Sequence, residues 1–123
     1  MMQSTSEIGK WAEDIAAQFL EGKSFQILFR NWRAGRGDID IIALAGQCMV
    51  FVEVKGGNSK LYGPPEWRIT TGKKRQLYKL ASIFLAEVDQ TVFPHDHYRF
   101  DVVIIDGHPN KYDIRHYENA FYI

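Results

Sequence analysis

The sequence predicts an α/β fold, a central mixed β-sheet flanked by α-helices, and three patterns point to it. Apolar residues recur with the 3.6-residue period of amphipathic helices near residues 6–22 and again near 71–88. Between them lie two runs rich in Ile and Val, Asp38 to Leu44 and Met49 to Lys55, whose apolar residues occupy both parities, as in strands covered on both faces. With 123 residues and 46% hydrophobic content, residues 1–123 are expected to form one domain around one core.

The first helix places Ile8, Ala12, Ile15, Ala16, Phe19 and Leu20 on one stripe, with Ser4, Thr5 or Ser6 available as its cap. Glu13 lies at the edge of that stripe and so faces the body of the protein, whereas Asp14 points almost directly away. Phe25 to Phe29 reads as a short strand, followed by a basic and aromatic stretch from Arg30 to Gly37 whose glycines predict a mobile turn. The runs 38–44 and 49–55 form a hairpin, and the Gly- and Pro-rich segment 56–68 is expected to be a long flexible loop, a candidate substrate flap. The second helix runs from Thr71 to Val88, with Leu77, Leu80, Ala81, Phe84, Leu85 and Val88 on its apolar face. Tyr98 to Ile105 and Lys111 to Tyr117 complete the strands, joined by a turn through Gly107, His108, Pro109 and Asn110.

The formal net charge of zero argues against a protein that coats nucleic acid by charge alone, but the charge is unevenly placed. Residues 54–86 carry +6, against −2 for residues 1–53 and −4 for residues 87–123. Lys73, Lys74, Arg75 and Lys79 gather in the first turns of the second helix, where cations oppose the helix dipole. A ligand phosphate would account for them, as would a plain solvated face. Trp32 with Arg30, Arg33 and Arg36 could likewise hold bases and phosphates of a nucleic acid, or simply pack. No apolar run is long enough for a membrane span, and the polar start lacks a secretory signal, so a cytoplasmic protein with no membrane partner is expected. The single Cys48, in an apolar run, reads as a small buried hydrophobe.

The chemistry is concentrated where charged residues interrupt strands otherwise built for burial: Asp38 and Asp40 on one strand, Glu53 and Lys55 on the next. If Gly46 and Gln47 form a two-residue turn, paired residue numbers sum to 93, which sets Asp40 opposite Glu53 and Asp38 opposite Lys55. Two carboxylates so close repel unless a cation lies between them, and a divalent ion such as Mg²⁺ or Mn²⁺ fits, keeping positions open for water and phosphate. Lys55 could hold or deprotonate the attacking water. An insertion of one residue in the turn would send Asp40 and Glu53 to opposite faces. His95 and His97 share a parity and could join Asp96 around a metal, but no third partner at zinc-site spacing accompanies them. Asp101, inside an apolar strand, reads as a hydrogen-bonded structural residue, and Gln76 with Lys73 could reach phosphate.

Asp40 followed after a gap by Glu53-Val54-Lys55 matches the D-(x)n-E-x-K pattern of the PD-(D/E)xK nuclease superfamily. The ordered series Ala12-Glu13, Phe19-Leu20, Arg30-Asn31-Trp32-Arg33, Gly37 to Ala43, Phe51 to Lys55 and Arg99 to Val103 resembles the YraN-type family of predicted endonucleases across nearly the whole chain, and is similar to the archaeal Holliday-junction resolvases. The resemblance implies a restriction-endonuclease-like fold, Asp40 and Glu53 as metal ligands, Lys55 as the catalytic lysine and Glu13 as a helix-borne acid at the same site. It further implies DNA or another nucleic acid as partner, Mg²⁺ or Mn²⁺ as cofactor, and a homodimer suited to cutting two strands. Asp38 stands where that motif usually has Glu, and Gly56-Gly57 stand where basic residues are common. A non-catalytic nucleic-acid-binding or adaptor module on the same fold is the competing expectation.

Overall fold

A computed structural model describes residues 5–57 and 69–121. Its elements in chain order are α1 (Thr5–Gly22), β1 (Gln26–Ala34), β2 (Gly37–Ala45), β3 (Cys48–Gly57), α2 (Thr71–Glu87), β4 (His97–His108) and β5 (Lys111–Tyr117). The strands make one open five-stranded sheet in the order β1-β2-β3-β4-β5. Neighbours are antiparallel except β3 and β4, which run parallel because α2 carries the chain across between them. The fold is thus mixed α/β, with a helix on each face of a mixed sheet.

Each helix covers its face mainly with the stripe that its periodicity predicts, α1 adding Ala17, which the expected stripe did not include. Ala12, Ala16, Ala17 and Leu20 of α1 pack on Ile41, Ala43, Val50, Val52, Val103 and Ile105. On the other face Leu77, Leu80, Ala81 and Phe84 of α2 pack on Leu44, Met49, Phe51, Phe100, Val102 and Ile104. Residues of opposite parity on β3 therefore serve opposite cores, which is why its apolar run shows no alternation. Burying a side chain such as Leu80 or Phe84 contributes ~1.5–3 kcal/mol each, so these two interfaces fix the helices on the sheet.

The hairpin register agrees with the sequence. Ala45 pairs with Cys48 and Ile41 with Val52, and Gly46 takes φ 61, the sign that glycine supplies at the first position of a type II′ turn. Cys48 is buried, as expected. The first strand differs from expectation, since the stretch from Arg30 to Ala34 continues β1 rather than forming a mobile turn. Trp32 pairs with Ile39 and Ala34 with Gly37, and the turn shrinks to Gly35, at φ 61, and Arg36. A register shift between Ile27 and Phe29 and a positive φ of 53 at Asn31 make the strand irregular, which hid its continuity. β4 is likewise longer than the expected 98–105.

Gly56 and Gly57, expected to open a loop, end β3 instead. Residues 58–68 and the cap of α1 lie outside the described residues. No helix among the described residues is long and apolar enough to cross a membrane.

Candidate functional site

The site begins where β2 leaves β3. Beyond Ile41 and Val52 the backbone pairing stops, although the register would continue through Asp40 with Glu53 and Asp38 with Lys55. In the alternating ladder that the turn sets, the N–H of Val54 should reach the carbonyl of Ile39. It donates instead to Asp40 Oδ2 at 2.8 Å. Ile39 also packs on the α2 side while Ile41 packs on the α1 side, so β2 changes face at Asp40. The Asp40 carboxylate therefore fills the opening between two diverging strands and satisfies a backbone donor that would otherwise be orphaned.

Glu53 shares its parity with Met49 and Phe51 and so faces α2. It is only 5% exposed, and its Oε2 has no hydrogen-bond partner. Burial pushes its carboxyl pKa up from 4.5 to about 8, and Asp40 adds to the rise through a shared hydrogen bond and through charge repulsion. Lys73 and Lys55 act in the opposite direction. The ammonium of Lys73, from the first turn of α2, stands 3.5 Å from the orphaned Oε2. The distance is that of an ion pair without a formed hydrogen bond, so the two observations on Oε2 agree.

Glu13 reaches the same opening from α1. Burial and the charge of Asp40 raise its pKa, against the pull of Arg30 and Asn31. Asn31 donates to Glu13 Oε1 at 2.8 Å, and Arg30 donates to that oxygen from Nε and Nη2, both at 3.3 Å. Arg30 Nη2 also lies 2.6 Å from Asp14 Oδ1, so Asp14, expected to point into solvent, shares the guanidinium. Asp40 is thus the common neighbour at this end of β2 and β3: its charge bears on Glu13 from α1 and on Glu53 from the α2 face, while Lys55 bears on Glu53.

The basic residues divide into two groups. Arg33, Arg36, Arg75 and Lys79 are exposed. Arg30 is held by two acids, Lys73 by Glu53, and Lys74 lies over the Phe121 ring, 5.6 Å from its centroid. Trp32 packs edge-on against Phe84, with ring centroids 5.4 Å apart. His95 bonds to Gln90 and to the Phe93 carbonyl, and His97 to Asp96, without forming a ligand cluster. Among the described residues, no three of His, Cys, Asp and Glu come together as a ready-made metal cage.

Lys73 carries more of the site than its place in a run of cations suggests. It precedes Leu77 by one turn and so falls on the apolar stripe of α2, a signal present in the sequence. Thr70, the N-cap, accepts from the Lys73 N–H at 3.1 Å and fixes the start of the helix that delivers the ammonium. Asn31 carried no comparable signal, because its contact with Glu13 depends on a left-handed backbone within a strand.

Residues 12–105 match the uncharacterised protein family UPF0102. A UPF0102 protein of Natranaerobius thermophilus is 43% identical over 115 residues, 92% of this chain and 95% of the relative. A UPF0102 protein of Geobacter metallireducens is 39% identical over 121 residues, 98% and 97% of the two chains. One of Clostridium botulinum is 34% identical over the full length of both. The chain belongs to the UPF0102 family, and the match includes Glu13, Asp40, Glu53, Lys55 and Lys73.

Proposed function

We propose that this member of the UPF0102 family is a restriction-endonuclease-like, divalent-metal-dependent endonuclease that hydrolyses phosphodiester bonds in branched or single-stranded DNA. One observation carries the reading: Asp40 and Glu53 converge at the seam of β2 and β3, and a buried Glu53 oxygen is left without a hydrogen-bond partner. A buried, unsatisfied carboxylate oxygen beside a second acid is costly, and a cation offsets that cost.

The donor set fits a hard ion. Asp40 and Glu53 would hold Mg²⁺ or Mn²⁺ as a pair of carboxylates, the number such an ion commonly takes while keeping positions for water and phosphate. When bound, the ion supplies Lewis-acid polarisation of the phosphate and a lowered pKa for a coordinated water. Lys55, which shares its parity with Glu53 on β3, would orient the attacking water and stabilise charge on the phosphate oxygens. Glu13 would act from the opposite side as the proton-exchanging acid, held on α1 where burial and the charge of Asp40 raise its pKa. The exposed Arg33, Arg36, Arg75 and Lys79 bind backbone phosphates flanking the scissile bond.

The competing reading, a nucleic-acid adaptor without catalysis, is favoured by the ion pair from Lys73, which already supplies Glu53 with a positive partner. Cleavage of labelled single-stranded, nicked, flapped and four-way DNA in Mg²⁺ or Mn²⁺ separates the two. The nuclease reading expects cutting that falls ~10²–10⁴-fold in Asp40→Ala and Lys55→Ala. Absence of cutting on every substrate, or undiminished cutting by both variants, refutes it.

A further inference from the structure

We propose that Lys73 is a displaceable counter-ion, whose ammonium holds Glu53 until a divalent ion binds and yields the carboxylate when it does. The inference rests on the metal-site reading above and goes beyond it, since it assigns a metal-regulating role to a residue on α2 rather than on the motif strands.

Three observations lead to it. The Lys73 ammonium lies 3.5 Å from the one Glu53 oxygen that has no hydrogen-bond partner, so it occupies the place where a cation is most favoured without being locked there. Its side chain keeps 29% of its surface exposed while that of Glu53 keeps 6%, so the lysine can withdraw toward solvent and the carboxylate cannot. The ammonium also extends from the first turn of α2, where it opposes the helix dipole, and Glu53 offsets that cost. A flexible lysine in such a position is a replaceable charge, whereas an arginine fork would be a fixed one.

The chemistry distinguishes a counter-ion from a structural strut. Entry of a divalent ion requires Glu53 to give up Lys73, so the ion pair competes with the metal and the displaced ammonium repels it. Removing the charge should therefore tighten metal binding, an outcome that loss of a strut does not produce.

The test is calorimetric titration of the full-length protein with Mn²⁺ for wild type, Lys73→Met, Lys73→Arg and Glu53→Gln, with circular dichroism confirming that each is folded. The proposal expects Lys73→Met to bind Mn²⁺ about tenfold more tightly than wild type, Lys73→Arg to bind more weakly, and Glu53→Gln to lose binding. Equal or weaker binding by Lys73→Met, with wild type still binding Mn²⁺, overturns the counter-ion and leaves the metal site standing. If neither wild type nor Lys73→Met binds Mn²⁺, both fail. Should Lys73→Met prove unfolded, Lys73→Gln takes its place with the same expected tightening.

Discussion

Glu53 and Asp101 are both acids buried on the parallel pair β3 and β4, yet their surroundings are opposite. Asp101 lies on the α1 side of the sheet, fully enclosed, and every direction in which it accepts is answered. Arg99 donates to it from Nε at 2.9 Å and from Nη2 at 3.2 Å, His116 Nε2 lies 2.8 Å away, and the Asn119 backbone N–H donates at 2.9 Å. Burial alone would raise its pKa, but the bonds from His116, Arg99 and Asn119 outweigh burial and leave it below the ordinary carboxylate value. Glu53 is also penalised by burial but has an acid for a neighbour and one oxygen unanswered, so its pKa rises. Burial by itself therefore does not identify a functional acid. What marks Glu53 is burial without satisfaction, whereas Asp101 anchors β5 and the residues after it to β4.

Removing each carboxylate breaks the comparison in opposite directions. Asp101→Ala leaves Arg99 and His116 facing an empty site and should cost ~3–5 kcal/mol, read from the midpoint of urea unfolding. Glu53→Gln replaces a carboxyl that the metal-free fold retains at neutral pH only by keeping it protonated, so the same measurement should show an equal or higher midpoint. The pH dependence has opposite signs as well. Glu53, with its folded pKa near 8 against an ordinary 4.5, keeps a proton that the unfolded chain releases. Stability of the metal-free protein should accordingly fall as pH rises from about 4.5 to about 8, and Glu53→Gln should flatten that slope. Asp101, with its folded value depressed below 3.8, contributes stability above that pH that is lost as pH falls through its folded value.

A smaller effect sharpens the part played by α1. A Cβ on Gly56 would stand 2.7 Å from Ala12 Cβ, so β3 and α1 touch where only glycine fits, one residue after Lys55 and one before Glu13. Gly56→Ala should cost ~1–3 kcal/mol by overpacking and, by moving α1, weaken cleavage more than the stability loss explains. Single-turnover rates at a temperature where the variant is fully folded check this.

Much of the site was legible in the chain, because it depends on local rules. The Gly46-Gln47 turn set the hairpin register, alternation put Glu53 and Lys55 on one face, and the helical period turned Glu13 inward. The failure of pairing at Asp40 was not legible, since nothing in the spacing shows a side chain taking the place of the Ile39 carbonyl. Nor was the strand through Arg30. Gly35 and Gly37 suggested that the whole stretch was a turn, but Arg30 stays in the strand with Glu13 and Asp14 of α1 as its partners, tertiary contacts 17 and 16 residues away. His116 lies 15 residues from Asp101 and became its partner only through the β4 and β5 pairing. Lys73 stood between these extremes, visible on the stripe of α2 but inseparable in sequence from the cations around it.

A crystal of the full-length protein soaked in Mn²⁺ and measured at the manganese edge tests the central claim most directly. The account predicts an anomalous peak shared by the Asp40 and Glu53 carboxylates, with the Lys73 ammonium moved off Glu53. A peak elsewhere, such as beside Asp96 and His97, or no peak while Lys73 stays on Glu53, would contradict it.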